Sequence, residues 1–502
     1  MAELSVVGSL YGGTGSLAFS GITDFEFYEK NGQLFLLVAS QGTSNIHLYY
    51  VYADQPLKYR DVQDLTVDSG TFAITDMDVL TIAGADFILT SGAYDDNAGL
   101  VAIVGGVPQI TYPEDVTGDA ADYANFAMTR VVDINDQTYV LVSKRGNPSL
   151  YVFSVTEGGQ FNQRFNLADD ASLTLGDITD FATVVMNGQT YLAVTSAFDG
   201  GVTLFKMRAD GSLVQRDTVF PGDGMGFTYP QDIEFVTAGG DQYLAMISSG
   251  TSTLTIYRVG KHGQLHEVDY AMDNLNTRFE GASQMVTITD NGRSFIFVAG
   301  NDDGLTVFEL LPNGQLLHSI TIEDNFDIAL TNISALSVKT IDGAIHVFVG
   351  GAEDGITQFV FDPNALGTTL IGTTGKDVIN GTAMDDYLFG GRRGDTINGG
   401  AGVDRPEFGG GGKDFLTGGV GADTFVFVAD GRKDFIMDFE DGIDLIDLSG
   451  YQQLGSIDDL EIYTRKWGVL IDIKGEKLKV IAMDGDVITA DDFTADDFIF
   501  DF

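Results

Sequence analysis

Residues 178–205 read ITDFATVVMNGQTYLAVTSAFDGGVTLF, and this stretch decides the fold. An opening Ile-Thr-Asp-Phe leads into an alternating run. A Gly turn follows, then the aromatic-led apolar run Tyr191–Ser196, an Asp-Gly loop and the alternating run from Gly201. The next copy carries Gln231-Asp232-Ile233, Tyr243–Ser248 and Thr253–Tyr257. The first anchor falls at Asp24, Asp76, Met128, Asp180, Asp232, Gln284 and Ala335, with five steps of 52 and one of 51. A second anchor, in the third run, falls at Ile46, Leu100, Leu150, Val202, Leu254, Leu305 and Ile356. Period-2 alternation marks half-buried strands. A fourth run opens at turns such as Gly211-Ser212-Leu213 and Gly263-Gln264-Leu265. Four strands per copy and seven copies predict an all-β, seven-bladed propeller, because a lone blade cannot bury both faces.

A closed ring needs one strand from the other end of the repeat. Stepping back 52 from Leu57 lands on Ser5, so Leu4–Leu10 is expected to complete the last blade, with Leu366–Ile371 as the rival. This region, roughly 4–365, resembles the broad class of lactonase-like and surface-layer-type seven-bladed propellers. The resemblance lies in period and strand pattern, and no catalytic motif accompanies it.

From residue 372 the composition changes. Gly-rich nonapeptides place aspartates at Asp377, Asp386, Asp395, Asp404, Asp414 and Asp423, with steps of 9, 9, 9, 10 and 9. Glycines at Gly375, Gly391, Gly400, Gly402, Gly410, Gly419 and Gly421 permit tight turns with carbonyls aimed inward. The aspartate adds a hard anionic oxygen suited to calcium. The apolar position (Ile379, Leu388, Ile397, Leu416) points into the roll. This segment resembles the RTX, or hemolysin-type, calcium-binding repeats, which implies a parallel β-roll with calcium as the cofactor. Two nonapeptides make one coil, so Asp377 pairs with Asp395 and Asp386 with Asp404. Pro406 at an apolar position, the extra Phe408, and Arg393, Met384 and Asp385 in place of glycines depart from the pattern. The step of 10 puts the Asp395–Asp414 site in question.

Residues after 426 (Gly421–Phe427, Asp434–Phe439, Gly442–Ser449) resemble the C-terminal segment of serralysin-type proteases and other type I secreted proteins. The acidic, aromatic end at Ala490–Phe502 resembles an uncleaved type I export signal. The resemblance implies a type I secretion apparatus as partner and an extracellular or cell-surface location. The expected division is therefore 1–365 propeller, 366–426 calcium-binding roll and 427–502 cap and export segment. The alternative for the tail is a plain edge strand of the cap.

The formal net charge is −46, from 73 Asp+Glu against 27 Lys+Arg. Such an excess disfavours nucleic acid and anionic membrane as partners, and favours cations, basic partners and solubility in salt. There is no cysteine, which excludes disulfides and thiolate chemistry. The first residues lack a basic-then-apolar leader, and no run of 18 apolar residues exists. Among the five histidines, His47 and His346 read as core, and His262, His266 and His318 as outer. No His-Glu-x-x-His occurs, so the metalloprotease itself is absent.

In the propeller the strand-start positions Asp24, Asp76, Asp180 and Asp232, with Gln284 beside them, form a candidate channel-face ligand site. The hairpin loops add Asp95, Asp96, Asp199, Asp302, Asp303, Glu353 and Asp354 to that face. The bland alternatives are Asp-Gly turns and a blade-to-blade structural role. Two functions follow. One is a secreted calcium-binding protein whose propeller is a surface, matrix or structural interaction module toward a cell surface, an extracellular polymer or a basic partner. The other is a secreted propeller hydrolase or lyase acting on a lactone, polysaccharide or phosphate ester through a channel metal or Asp cluster. A deep pocket with converging Asp and Arg would favour the second.

Overall fold

The computed structural model describes residues 3–500 except 12–19, 66–72, 93–98, 105–106, 110–124, 223–225, 326–327, 329, 352–354, 364–366, 408–411, 452–453 and 484–487. Asp95, Asp96, Glu353, Asp354, Phe408 and Gly410 therefore lie outside the described residues. The chain divides into two compact units, one of Leu4–Phe361 and one that contains Asp362–Phe502.

The first unit is seven four-stranded antiparallel sheets. The innermost strands are Ile22–Lys30, Ile74–Ile82, Phe126–Ile134, Ile178–Met186, Pro230–Ala238, Gln284–Asp290 and Ile333–Ile341. The seventh sheet takes its outer strand from Glu3–Tyr11, which pairs with Gly355–Asp362. The ring thus closes with the N-terminal strand. From the rival segment, Thr369–Ile371 pairs in parallel with Tyr387–Phe389 of the second unit instead.

Apolar side chains from neighbouring blades merge into shared clusters. One joins Val132, Leu141, Leu150 and Val152 to Phe181, Leu192, Val194 and Phe205. Another closes the ring by joining Ile22, Phe25 and Leu36 to Ala335, Phe348 and Ile356. A blade's two faces are buried only by its neighbours, so the ring is held by packing. His47 and His346 are fully buried, as their apolar strands lead one to expect.

The opening Ile-Thr-Asp-Phe now has a physical meaning. In six blades the pairing of the innermost strand slips by one residue at this point, as between Ile22 and Asp24. Such a bulge re-aims the two side chains that follow. The Thr23 hydroxyl donates to the Ile74 carbonyl (2.8 Å), and the Asp24 carboxylate accepts the Met77 N–H (2.8 Å). Thr179 and Asp180 repeat this with Pro230 and Ile233, both at 3.0 Å. Ser334 bonds the Ile22 carbonyl (2.6 Å) across the closure.

The second unit stacks two parallel ladders of short strands. One runs through Thr369–Ile371, Tyr387–Phe389, Arg405–Glu407, Thr424–Val428, Leu445–Gly450 and Phe498–Ile499. The other runs through Val378–Asn380, Thr396–Ala401, Phe415–Val420, Lys433–Phe439 and Glu476–Ala482, then turns antiparallel through Gly468–Ile473 and Glu461–Arg465. Parallel pairing thus continues past residue 427. Inside lies a column of Ile379, Leu388, Ile397, Leu416, Phe425 and Ile436, onto which Phe439, Phe493, Phe498 and Phe500 stack. Phe498–Ile499 of the tail is the end strand of the first ladder, and Phe493, Phe498 and Phe500 are buried. Coils touch backbone to backbone. Gly402 and Gly421 have φ of +121° and +152°, and a Cβ on Gly421 would stand 1.6 Å from the Gly402 carbonyl oxygen.

Candidate metal centre

The nonapeptide aspartates form two stacked lines, one along each side of the solenoid. On the first, the N–H of Asp377 donates to Asp395 Oδ1 (2.8 Å), that of Asp395 to Asp414 (2.6 Å), and that of Asp414 to Asp434 (2.9 Å). On the second, Asp386 donates to Asp404 (2.8 Å), Asp404 to Asp423 (2.8 Å), and Asp423 to Asp444 (2.9 Å). The pairs expected from spacing are therefore formed. The ten-residue step does not interrupt the line at Asp395–Asp414, since Thr396–Asn398 still pair in register with Phe415–Thr417. Asp434 and Asp444 continue the lines beyond the repeats. Their separations of 20 and 21 residues hide them from a search at 18.

Each N–H satisfies one carboxylate oxygen, and the other oxygen carries the chemistry. Asp404 and Asp423 are each 1% exposed, and among the described residues Oδ2 of both lacks a hydrogen-bond partner. Leaving a buried anionic oxygen unpaired costs several kcal/mol. Burial pushes the carboxyls of Asp404 and Asp434 up to about 7 and those of Asp414, Asp423 and Asp444 up to about 6. The backbone donors oppose this and the stacked carboxylates add to it. Such groups take up either a proton or a cation. A divalent ion bound by carboxylates and turn carbonyls supplies the missing charge, so the ladders can hold metal ions such as calcium. Among the sequence candidates, Gly391, Gly400, Gly402, Gly419 and Gly421 adopt positive φ in the turns beside the ladders, whereas Gly375 does not.

At the end of the first line, one oxygen from each of Asp430, Asp434 and Glu476 comes together within 4.8 Å. Burial raises the Asp434 and Glu476 carboxyls here too. This cluster also suits a cation. Sequence reading missed it because Glu476 arrives from a distant strand.

The propeller channel holds the other candidate site. Asp24, Asp76, Asp180 and Asp232 each accept the N–H of the next blade's strand (Met77, Thr129, Ile233 and Met285, 2.8–3.0 Å). Gln284 occupies the same position in the sixth blade. Two residues on, and so on the same face, stand Glu26, Asp78, Arg130 and Glu234. The Arg130 guanidinium lies 3.3 Å from Asp180. Desolvation works against its charge, but Asp180, Asp78, Asp76 and Glu234 outweigh that and hold it protonated. Burial raises Glu26 and Glu234 to about 7, and Asp24, Asp78 and Asp232 also rise, Asp24 helped by Asp76 and Asp232 by Asp180. Applying the period of 2 one step beyond the anchor would have found these four residues.

Of the hairpin carboxylates, Asp199 accepts the Gly176 N–H (2.6 Å), Asp302 that of Glu280 (3.1 Å) and Asp303 that of Asn332 (3.0 Å). They tie loops together. Among the described residues no helix is long and apolar enough to cross a membrane.

No family model matches the chain, and no curated protein matches it. Solved structures do match. One is the crystal structure of a protein from Lactobacillus plantarum, 13% identical, covering 70% of this chain and 92% of its own, at a TM-score of 0.41. That similarity carries no functional argument.

Proposed function

We propose that this chain is a secreted, RTX-type calcium-binding protein, exported by a type I apparatus, with a propeller that serves as a surface or matrix interaction module. The observation that supports it most is the pair of buried aspartate lines with orphaned oxygens on Asp404 and Asp423. Without calcium the roll carries a column of unneutralised carboxylates, and metal-binding energy becomes folding energy. In calcium-poor cytosol the segment stays unfolded, as a narrow export conduit requires. In millimolar calcium outside, it folds. The export address is the C-terminal segment.

Two measurements test this. Calorimetric titration of the EDTA-treated full chain should show calcium binding that Asp404→Asn with Asp423→Asn weakens at least about tenfold, as loss of a ligand charge implies. Removing residues 450–502 should leave the protein in the cell lysate and out of the medium. Secretion of the shortened chain without lysis would refute the C-terminal address.

The convergence of Arg130 with the channel carboxylates favours a second reading, a channel hydrolase or lyase. Turnover of a lactone, polysaccharide or phosphate ester that Arg130→Met abolishes would establish it.

A further inference from the structure

The two sides of the solenoid are chemically unlike. The two residues before each aspartate of the first line are Gly375-Lys376, Arg393-Gly394, Gly412-Lys413 and Arg432-Lys433. On the second line they are Met384-Asp385, Gly402-Val403, Gly421-Ala422 and Gly442-Ile443. At these two positions every coil on one side carries at least one cation, and no coil on the other carries any. Both lines carry buried aspartates, and Lys376 offsets the charge of Asp395 on the first, yet the cations of that line keep their side chains at the surface.

Lys376, Arg393, Lys413, Arg432 and Lys433 line one cleft of about 700 Å³, and among the described residues its lining carries one carboxylate, Asp430. All five are exposed, and none forms an ion pair among the described residues. Arg405 and Lys477 of the same unit, by contrast, are paired with Asp447 and Asp472. Arg393 is held at φ +75°, a left-handed conformation where the repeat pattern has glycine.

Aromatic rings position the lysines. Phe415 and Phe435 stack at 4.8 Å, and Lys413 Nζ stands 4.6 and 4.4 Å from their centroids. Lys433 stands over Phe435 and Trp467 at 5.4 and 5.9 Å. A lysine already held against a ring loses less freedom on binding.

We infer that this cleft binds an acidic polysaccharide with a carboxylate on each sugar ring. Charge complementarity points to an anion, since these are unpaired cations in a chain of net charge −46. Spacing points to the polymer. Successive coils repeat at about 4.8 Å, and a pyranose linked through opposite ring positions advances its chain by nearly that distance. Same-side acids of an extended peptide recur only every roughly 6.6 Å. The site lies on the solenoid, so it goes beyond the role proposed for the propeller.

The test uses the full chain in excess calcium and a short oligouronate, with emission of the single tryptophan, Trp467, as readout. Saturable binding that weakens with salt is expected. Lys413→Gln with Lys433→Gln should weaken it about a hundredfold, roughly tenfold per charged contact. Lys261→Gln, on a propeller turn, should change nothing. Arg393→Gly should weaken binding severalfold while raising the melting temperature of the calcium-loaded solenoid by about 3–6 °C. Those opposite signs separate a ligand role from a structural one. The inference is overturned if the oligouronate does not bind, if the double variant binds like the parent, or if polyglutamate, a single-stranded oligonucleotide or a neutral oligosaccharide binds equally well. A failure with calcium titration intact removes this site alone, whereas loss of calcium binding removes the function proposed above.

Discussion

In the propeller, Asp24, Asp76, Asp180 and Asp232 accept a backbone N–H from the next blade; in the solenoid, Asp395, Asp404, Asp414 and Asp423 accept one from the preceding coil. The same side chain joins repeats in both units. What surrounds it differs. A propeller aspartate sits beside apolar clusters many residues wide, and at Asp24 and Asp180 the second oxygen has its own donors, the Phe25 N–H (2.8 Å) for the one and the Phe181 N–H (2.7 Å) with Arg130 for the other. A solenoid aspartate sits beside a core one column wide, with its second oxygen bare at Asp404 and Asp423. One unit carries its aspartates because packing holds the ring. The other has buried carboxylate oxygens that a cation can fill.

The largest expected effect comes from breaking the packed unit at its closure. Removing residues 1–11 deletes the outer strand of the seventh blade and bares a sheet edge. The propeller should lose its cooperative melting transition and aggregate, as light scattering would show. Unchanged melting would mean that closure contributes little.

A smaller loss should follow from one blade-to-blade contact. Asp180→Ala leaves the buried Ile233 N–H without its acceptor and takes one of several carboxylates from Arg130. It should cost about 2–3 kcal/mol in urea unfolding of the propeller, with or without calcium. Asp24→Ala should behave alike, and a calcium-dependent loss would erase the contrast between the units.

The smallest effect is a dependence on pH. Glu26 and Glu234 have folded-state values near 7, above the usual 4.5. Raised carboxyls favour the folded state fully below the unfolded value and lose that contribution as pH climbs through 7. The propeller should therefore weaken between about pH 4.5 and 7, by about 1–2 kcal/mol for the two residues together once solvent screens the charge. Glu26→Gln with Glu234→Gln should flatten this slope. Absence of a slope would place the two groups in solvent, and a slope of opposite sign would mean that Arg130 holds their carboxyls below the usual value.

Much of this was legible in the sequence, for a specific reason in each case. Both repeats have fixed periods, so anchors at 52 and 9 residues gave the blades, the closing strand and the ladder pairs. The purpose of Thr-Asp was less legible, because two readings suited it until the bulge and the contacts 51 and 53 residues on were seen. Arg130 went unnoticed because its blade carries Met128 at the anchor and so seemed to lack a polar group. Asp434 and Asp444 escaped because longer loops moved them off the period. The basic side of the solenoid was hidden by a net charge that sums over the whole chain, when the information lies in which side of each coil a lysine occupies.

The central claim is that one unit depends on calcium and the other does not. Differential scanning calorimetry of the full chain, with millimolar calcium and then with EDTA, tests it directly. Two transitions are expected in calcium. In EDTA the transition of the solenoid should vanish, with loss of its β signal in circular dichroism, while that of the propeller moves by less than about 10 °C. Two transitions that survive EDTA unchanged, or a propeller transition that collapses with the solenoid's, would contradict the account.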